Sequence, residues 1–160
     1  MRWGIYSGHV NTDLPYSMEI TASGTQNNVP IALLYAIAWH ESIQGEVNGS
    51  WTAATVISPD GGHGCMQLTS SWPDDWQDPI SNANWACVQY ILPAAQFWTN
   101  PTYGFNGLVL VKCIAATYNA GIGGALAGHN NGNIDLYTTD SYGARVQEIY
   151  EKIVATGRPT

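Results

Sequence analysis

The sequence predicts a mainly α domain, and three observations carry the prediction. Apolar residues recur at helical spacing in the longer segments, above all Ile31–Glu41 (IALLYAIAWHE) and Gly107–Tyr118 (GLVLVKCIAATY). Gly, Pro, Asn and Asp gather between such segments, where helices end and turns form. Only Thr52–Ser58 (TAATVIS) has the composition of a short strand. The chain has 160 residues, 45% of them hydrophobic, which suffices for one domain with a real core. No repeat, low-complexity linker or internal boundary divides it, so residues 1–160 read as a single domain.

Residues 1–15 read as an irregular N-terminal segment with Gly, Asn and Asp as turn formers. Tyr16–Gln26 reads as a short helix. Pro30 suits the first position of the next helix, where its missing N–H costs nothing; that helix runs to about Ile43 and stops near Gly45. Residues 45–63 are long and turn-rich, a pattern that in a compact domain usually marks function. Gly64–Trp72 reads as a short helix or turn, and Pro73–Pro79 as a loop. Asn82 is a candidate N-cap for a helix to about Phe97, which Pro93 should kink or end early. Gly107–Tyr118 is a strongly apolar helix and Gly121–Gly128 a small-residue helical turn. Thr139 or Asp140 then caps a last amphipathic helix to about Val154.

Composition narrows the function. Charged residues are 11% of the chain, against roughly 25% in typical soluble domains, so the surface is built from neutral polar residues. Seven Trp and nine Tyr stand against two Phe; rings with an apolar face and a polar tip suit sugar binding as well as core packing. The net charge of −7 disfavours nucleic acid, which wants a basic footprint. It also gives no long-range pull toward anionic membranes or polymers. Cys65, Cys87 and Cys113 are odd in number and widely spaced, so they read as reduced, mostly buried thiols, with a Cys87–Cys113 bridge as the alternative. Residues 1–30 lack the apolar core of a signal peptide. No apolar run reaches the ~18 residues of a membrane span, so membrane insertion is not expected.

Within IALLYAIAWHE the question is where Glu41 points. Leu34, Ile37, Ala38 and Glu41 share a face at helical spacing, so Glu41 continues the apolar face. A carboxyl against apolar neighbours has its charged form disfavoured and its pKa raised. One that keeps its proton near neutrality can act as a general acid. The bland alternative is a frayed helix end with Glu41 in water. His40-Glu41 also begins the zinc-protease pattern H-E-x-x-H, but its fifth residue is Gln44. No four ligands have sensible spacing, so neither a metal nor another cofactor is expected. His63 and Cys65 stand too close in sequence for a base and nucleophile.

Two further motifs stand downstream, Gly64-Cys65-Met66-Gln67-Leu68 and Ala116-Thr117-Tyr118-Asn119-Ala120-Gly121. Others accompany them: Val29-Pro30 before the apolar helix, Glu41-Ser42 at its end, and Ser50 nine residues after Glu41. Asp78-Pro79 with Asn84, and Tyr142 with Val146, complete the series. In this order they resemble the soluble lytic transglycosylase family of the lysozyme-like superfamily, which also holds the goose-type lysozymes. The resemblance spans about residues 16–154. Cys65 stands where the family usually has Leu, Thr117 where it has Ala, and the segment between Ser50 and Gly64 is longer than usual.

The resemblance implies a lysozyme-like helical fold and an enzyme that cuts the β-1,4 bond between MurNAc and GlcNAc in peptidoglycan. Glu41 would serve as general acid and then base, without cofactor, leaving 1,6-anhydro-MurNAc ends. Ser50 and Tyr118 would bond near Glu41 or the acetamido group. Gln67 and Asn119 would bind the sugar backbone, Met66 would line the cleft, and Tyr142 would sit over the scissile bond. Core packing or backbone capping remains the alternative role for Met66, Gln67, Tyr118, Asn119 and Tyr142. A monomer acting on glycan strands is implied. Its setting would be that of a bacteriophage lysin, released through a holin pore or carried in a virion, or of a bacterial enzyme without its signal.

Two other functional readings stay open. Goose-type lysozymes carry an Asp in the loop between the catalytic Glu and the Met-Gln motif. Asp60 lies there and would hold a water for hydrolysis, although Pro59-Asp60-Gly61 is also ordinary turn chemistry. Glu46 is a further acid, expected in solvent. A lysozyme-like fold also serves as a non-catalytic glycan-binding module, against which Glu41 with Ser50 argues.

Overall fold

The computed structural model describes residues 3–160. Among them the chain is mainly α, with no strand. Helix α1 (Ser17–Asn27) turns at Asn28 into α2 (Ile31–Ala38), which continues through a π-helical turn, Trp39–Ile43, into α3 (Gln44–Val47). After a long loop, α4 (Pro79–Ala86), a second π turn (Cys87–Ile91) and α5 (Leu92–Thr99) form another continuous rod. Then come α6 (Gly107–Asn130) and α7 (Tyr142–Thr156). Helix α1 packs on α2 and α4, α2 on α7, α7 on α6, and α6 on α5.

Helix α2 is the hub of this arrangement. Ala32 to Ala38 are all at 0% exposure, so its apolar surface is wrapped on every side, as expected of a helix hydrophobic all round. Its surroundings form one contiguous core that includes Ile20, Leu110, Ile114, Val146 and Ile153. The Tyr35 hydroxyl, buried within it, donates to the Pro15 carbonyl at 2.8 Å. Helix α6 is long and apolar enough to cross a membrane. Here Leu110, Val111 and Ile114 are buried in the core, and the helix breaks at Gly121 (φ 73°, ψ 167°). Thr117 joins α6 to α5: its hydroxyl accepts from Trp98 Nε1 and donates to the Cys113 carbonyl, both at 2.8 Å.

Several element boundaries differ from the sequence expectation for local reasons. Pro30 is the N-cap of α2 rather than its first helical residue. The helix does not stop at Gly45; it runs to Val47, and Gly45 is there because the Trp51 indole lies where a Cβ would project, 2.2 Å from the nearest ring atom. Asp78, not Asn82, caps α4 by accepting from Ile80 N at 2.9 Å. Pro93 does not end the rod, because the π turn just before it changes the backbone register that an α-helical proline would violate. Neither Thr139 nor Asp140 caps α7; the buried Asp135 carboxylate accepts from Gly143 N (2.7 Å) and Ala144 N (2.9 Å). TAATVIS forms no strand, only an isolated bridge from Ile57 to His63, and Gly64–Trp72 holds turns and a second bridge, His63 to Leu68. Cys65, Cys87 and Cys113 are free, buried thiols, so the Cys87–Cys113 bridge is not made.

One buried side chain gathers three points of the long loop. Asn82 accepts from Met66 N (2.9 Å) through Oδ1 and donates to the His63 and Trp76 carbonyls (3.0 Å each) through Nδ2. Gly64 makes this possible: its φ is +70°, and a Cβ there would stand 2.4 Å from Asn82 Nδ2. Asn82→Ala strands one buried and two partly buried backbone groups, so it should cost about 2 kcal/mol in denaturant unfolding. A loss below about 1 kcal/mol would mean that the loop is held by other contacts.

Candidate active site

Glu41 sits in the π turn Trp39–Ile43, a wide-turn geometry often found at functional sites. Its neighbours fix that turn. Ser42 Oγ donates to the Cys65 carbonyl (2.6 Å), Trp51 Nε1 to the Ser42 carbonyl (2.8 Å), and Gln44 Nε2 to the His40 carbonyl (3.0 Å). The helix end is therefore not frayed.

The Glu41 carboxyl is half-buried and accepts from the Tyr142 hydroxyl at 2.7 Å. Burial pushes its pKa up to about 7; the Tyr142 hydrogen bond pulls it down, and the negative charge of Asp60 pushes it further up. Asp60 goes the other way. Its carboxylate accepts from Ser58 Oγ and, at 3.4 Å, from Gly62 N, and the Ser58 bond holds its pKa below the usual value. Two acids in one site, one raised and one lowered, is the pattern of a general acid beside a permanently ionised partner. His40 lies edge-on to the Tyr142 ring at 4.8 Å, and burial lowers its pKa, so it is neutral near pH 7.

Glu41 lies where two cavities meet. One of about 450 Å³ is lined by Gln67, Thr69, Ser70, Tyr90, Tyr118 and Gly121, among others. The second, about 300 Å³, is lined by His40, Thr139, Asp140, Tyr142 and Arg145. Both share Glu41, Asp60 and Asn119, so the acid stands at the waist of a cleft that continues in two directions. A larger hollow of about 650 Å³, between residues 3–7 and 24–31, contains no carboxylate, His or Cys.

Of the residues singled out from sequence, Glu41, Asp60, Gln67, Tyr118, Asn119 and Tyr142 come together around this cleft. Gln67 has a left-handed backbone (φ 51°) and anchors its amide on the Gly64 carbonyl at 3.1 Å. Asn119 Oδ1 accepts from Thr139 N (2.8 Å), tying α6 to the approach of α7. The two tyrosines divide the work differently from expectation. Tyr142, not Tyr118, bonds Glu41, while the Tyr118 hydroxyl donates to the Met66 carbonyl at 2.5 Å. Ser50 does not reach the site: α3 runs on to Val47 and Ser50 leaves it exposed, outside the cleft lining. Met66 is at 0% exposure and lines neither half, because its side chain completes the core beneath the loop. Glu46 is not simply solvated; it accepts from the Tyr16 hydroxyl (2.9 Å) and from Ala53 N (3.2 Å), pinning the long loop.

Sequence reading passed over Tyr90, Asp140 and Arg145 as parts of the site. Arg145 was legible in principle, since it follows Tyr142 by three residues and shares its helix face. Tyr90 carries no such signal; it reaches the cleft only because the second π turn carries it there. Among the described residues no group of His, Cys, Asp and Glu is arranged to hold a metal ion. No protein-family model matches the sequence, and no curated protein resembles it at a significant level.

The raised pKa of Glu41 has a stability consequence with a definite sign. The folded state binds this proton more tightly than the unfolded chain, from an ordinary value of 4.5 to about 7. The contribution of this group to stability is therefore fully present below pH 4.5 and is lost as pH rises through 7, by about 3 kcal/mol. Glu41→Gln should raise the melting temperature at pH 8 and leave it nearly unchanged at pH 4. A variant that melts no higher than the unmutated protein at pH 8 would contradict the burial of the charge. Tyr142→Phe removes the bond that favours the carboxylate, so a carbon-13 titration of its Glu41 carboxyl should give a pKa above that of the unmutated protein.

Proposed function

We propose that this protein cleaves the β-1,4 bond between MurNAc and GlcNAc in peptidoglycan, through a lysozyme-like fold with Glu41 as the catalytic acid. One observation carries the reading: a carboxyl that holds its proton near neutral pH stands at the waist of a cleft open in two directions. A polymer lying along such a cleft brings an internal linkage, not a chain end, against the acid. Neutral hydrogen-bonding groups line the cleft, including the Gln67 and Asn119 amides and the Thr69 and Ser70 hydroxyls, as an uncharged sugar backbone requires.

Glu41 gives its proton to the glycosidic oxygen, and the C1–O bond breaks as the leaving sugar departs. Positive charge develops at C1, and the carbonyl of the substrate's own N-acetyl group closes on it. Glu41 is now a carboxylate, stabilised by the Tyr142 hydroxyl. It takes the proton of the C6 hydroxyl as that oxygen attacks C1. The products are a free 4-hydroxyl on one fragment and a 1,6-anhydro ring on the other, and Glu41 regains its proton.

A second reading has its own observation. Asp60 lines both halves of the cleft and stays ionised, so it can orient a water toward C1 and give hydrolysis instead. Mass spectrometry of the digested wall separates the two: anhydro ends support the first, reducing ends the second. Glu41→Gln should lower the rate by at least about a thousandfold under either reading. Asp60→Asn should leave the anhydro-forming rate within about threefold at its optimum. Because Asp60 pushes the Glu41 pKa up, the same variant should move the alkaline limb of the pH–rate profile to lower pH. No products from the unmutated protein, with strand binding retained, would leave a glycan-binding module.

A further inference from the structure

The smaller half of the cleft carries a cation that the proposed cleavage chemistry does not use. Among the described residues, Arg145 is the one Lys or Arg lining either half. Of the other described cations, Lys152 pairs with Glu148 (3.3 Å) and Arg158 with Asp13 (2.6 Å), while Lys112 is unpaired but lines neither half of the cleft. Arg145 makes no ion pair among the described residues. Its Nε donates to the Asp140 main-chain carbonyl at 2.6 Å, which holds the guanidinium at the cleft while its terminal nitrogens stay clear of any carboxylate. The side chain is exposed, and the neighbouring His40 is kept neutral by burial. The acids that face the same half are Glu41, Asp60 and Asp140.

We propose that Arg145 binds a carboxylate of the substrate, so that this half of the cleft selects strands bearing acidic side groups over uncharged ones. A guanidinium fork matches a carboxylate in two parallel hydrogen bonds, and one fixed by its Nε loses little freedom in making them. This inference rests on the reading of the cleft as a peptidoglycan-cutting site. On such a strand, the acidic groups are the carboxylates of the peptide stems attached to the muramic residues. Asp60 and Asp140 sharpen the choice. Arg145 balances one of their two charges and gives a stem carboxylate a single cationic landing point; without it the half is purely acidic and repels the same stems.

The test uses soluble glycan strands with intact peptide stems and the same strands after chemical amidation of their carboxyls. Binding is measured by calorimetry in the Glu41→Gln protein, where no cleavage intervenes, and cleavage is followed separately with Glu41 intact. The acidic strands should bind about three- to tenfold more tightly than the amidated ones. Adding Arg145→Gln should abolish or reverse that preference. Arg145→Lys, which keeps the charge but loses the fork and the Nε bond to Asp140, should retain only part of it. An unchanged preference in Arg145→Gln, or no preference at the start, overturns the proposal. Strands that bind with an Arg145-dependent preference but are never cut would sink the cleavage reading and leave this one standing. Strands cut without such a preference would do the reverse.

Discussion

The structure turns on the desolvation of one carboxyl. Glu41 is carried at the end of a helix whose residues Ala32–Ala38 are all fully buried, so water cannot solvate its charge fully. A largely desolvated carboxylate with no ion-pair partner is costly, and the protonated form prevails until the pH reaches about 7. The Tyr142 hydroxyl sets the limit of this effect by supporting the ionised form with one hydrogen bond. Burial without that bond would leave an acid too weak to give up its proton. The bond without burial would leave an ordinary glutamate, ionised at neutral pH.

Much of the remaining architecture keeps those two groups in register. Tyr142 opens α7, whose first turn is held by the buried Asp135 carboxylate on Gly143 and Ala144. Asn119 ties the end of the core part of α6 to Thr139, just ahead of α7. On the other side of the cleft, Asn82 and Gly64 fix the loop that brings Gln67 and Leu68 into the wall. The Ser42 hydroxyl, bonded to the Cys65 carbonyl, locks that loop to the π turn itself. Asp60, on the outer part of the same loop, supplies fixed negative charge close enough to raise the pKa of Glu41. The acid is thus held from three directions, by its own helix, by α7 and by the loop.

The helical class, the apolar segments at 31–43 and 107–118, and the burial of Glu41 were legible in the sequence, because periodicity and composition report them directly. The shared face of Leu34, Ile37, Ala38 and Glu41 is only part of the reason for the burial of Glu41: α2 is buried all round, so any side chain near its end meets the core. What stayed hidden depends on contacts distant in sequence. Gly45 looks like a helix stop until Trp51 is seen lying on it. Asn82 looks like a cap until its three bonds to the loop are seen. The assignment of Tyr142 rather than Tyr118 to Glu41 is set by how α6 and α7 cross, which no local pattern encodes. Ser50 and Met66 fell away for a like reason, since a spacing along the chain does not say which way a side chain leaves the backbone.

The central claim is that Glu41 keeps its proton near neutral pH, and the direct measurement is a carbon-13 NMR titration of its carboxyl carbon, assigned by comparison with Glu41→Gln. The expected pKa is about 7, well above the 4.5 of an ordinary glutamate. A carboxyl that titrates near 4.5 would contradict it, because the residue at the waist of the cleft would then be a carboxylate at neutral pH with no proton to give.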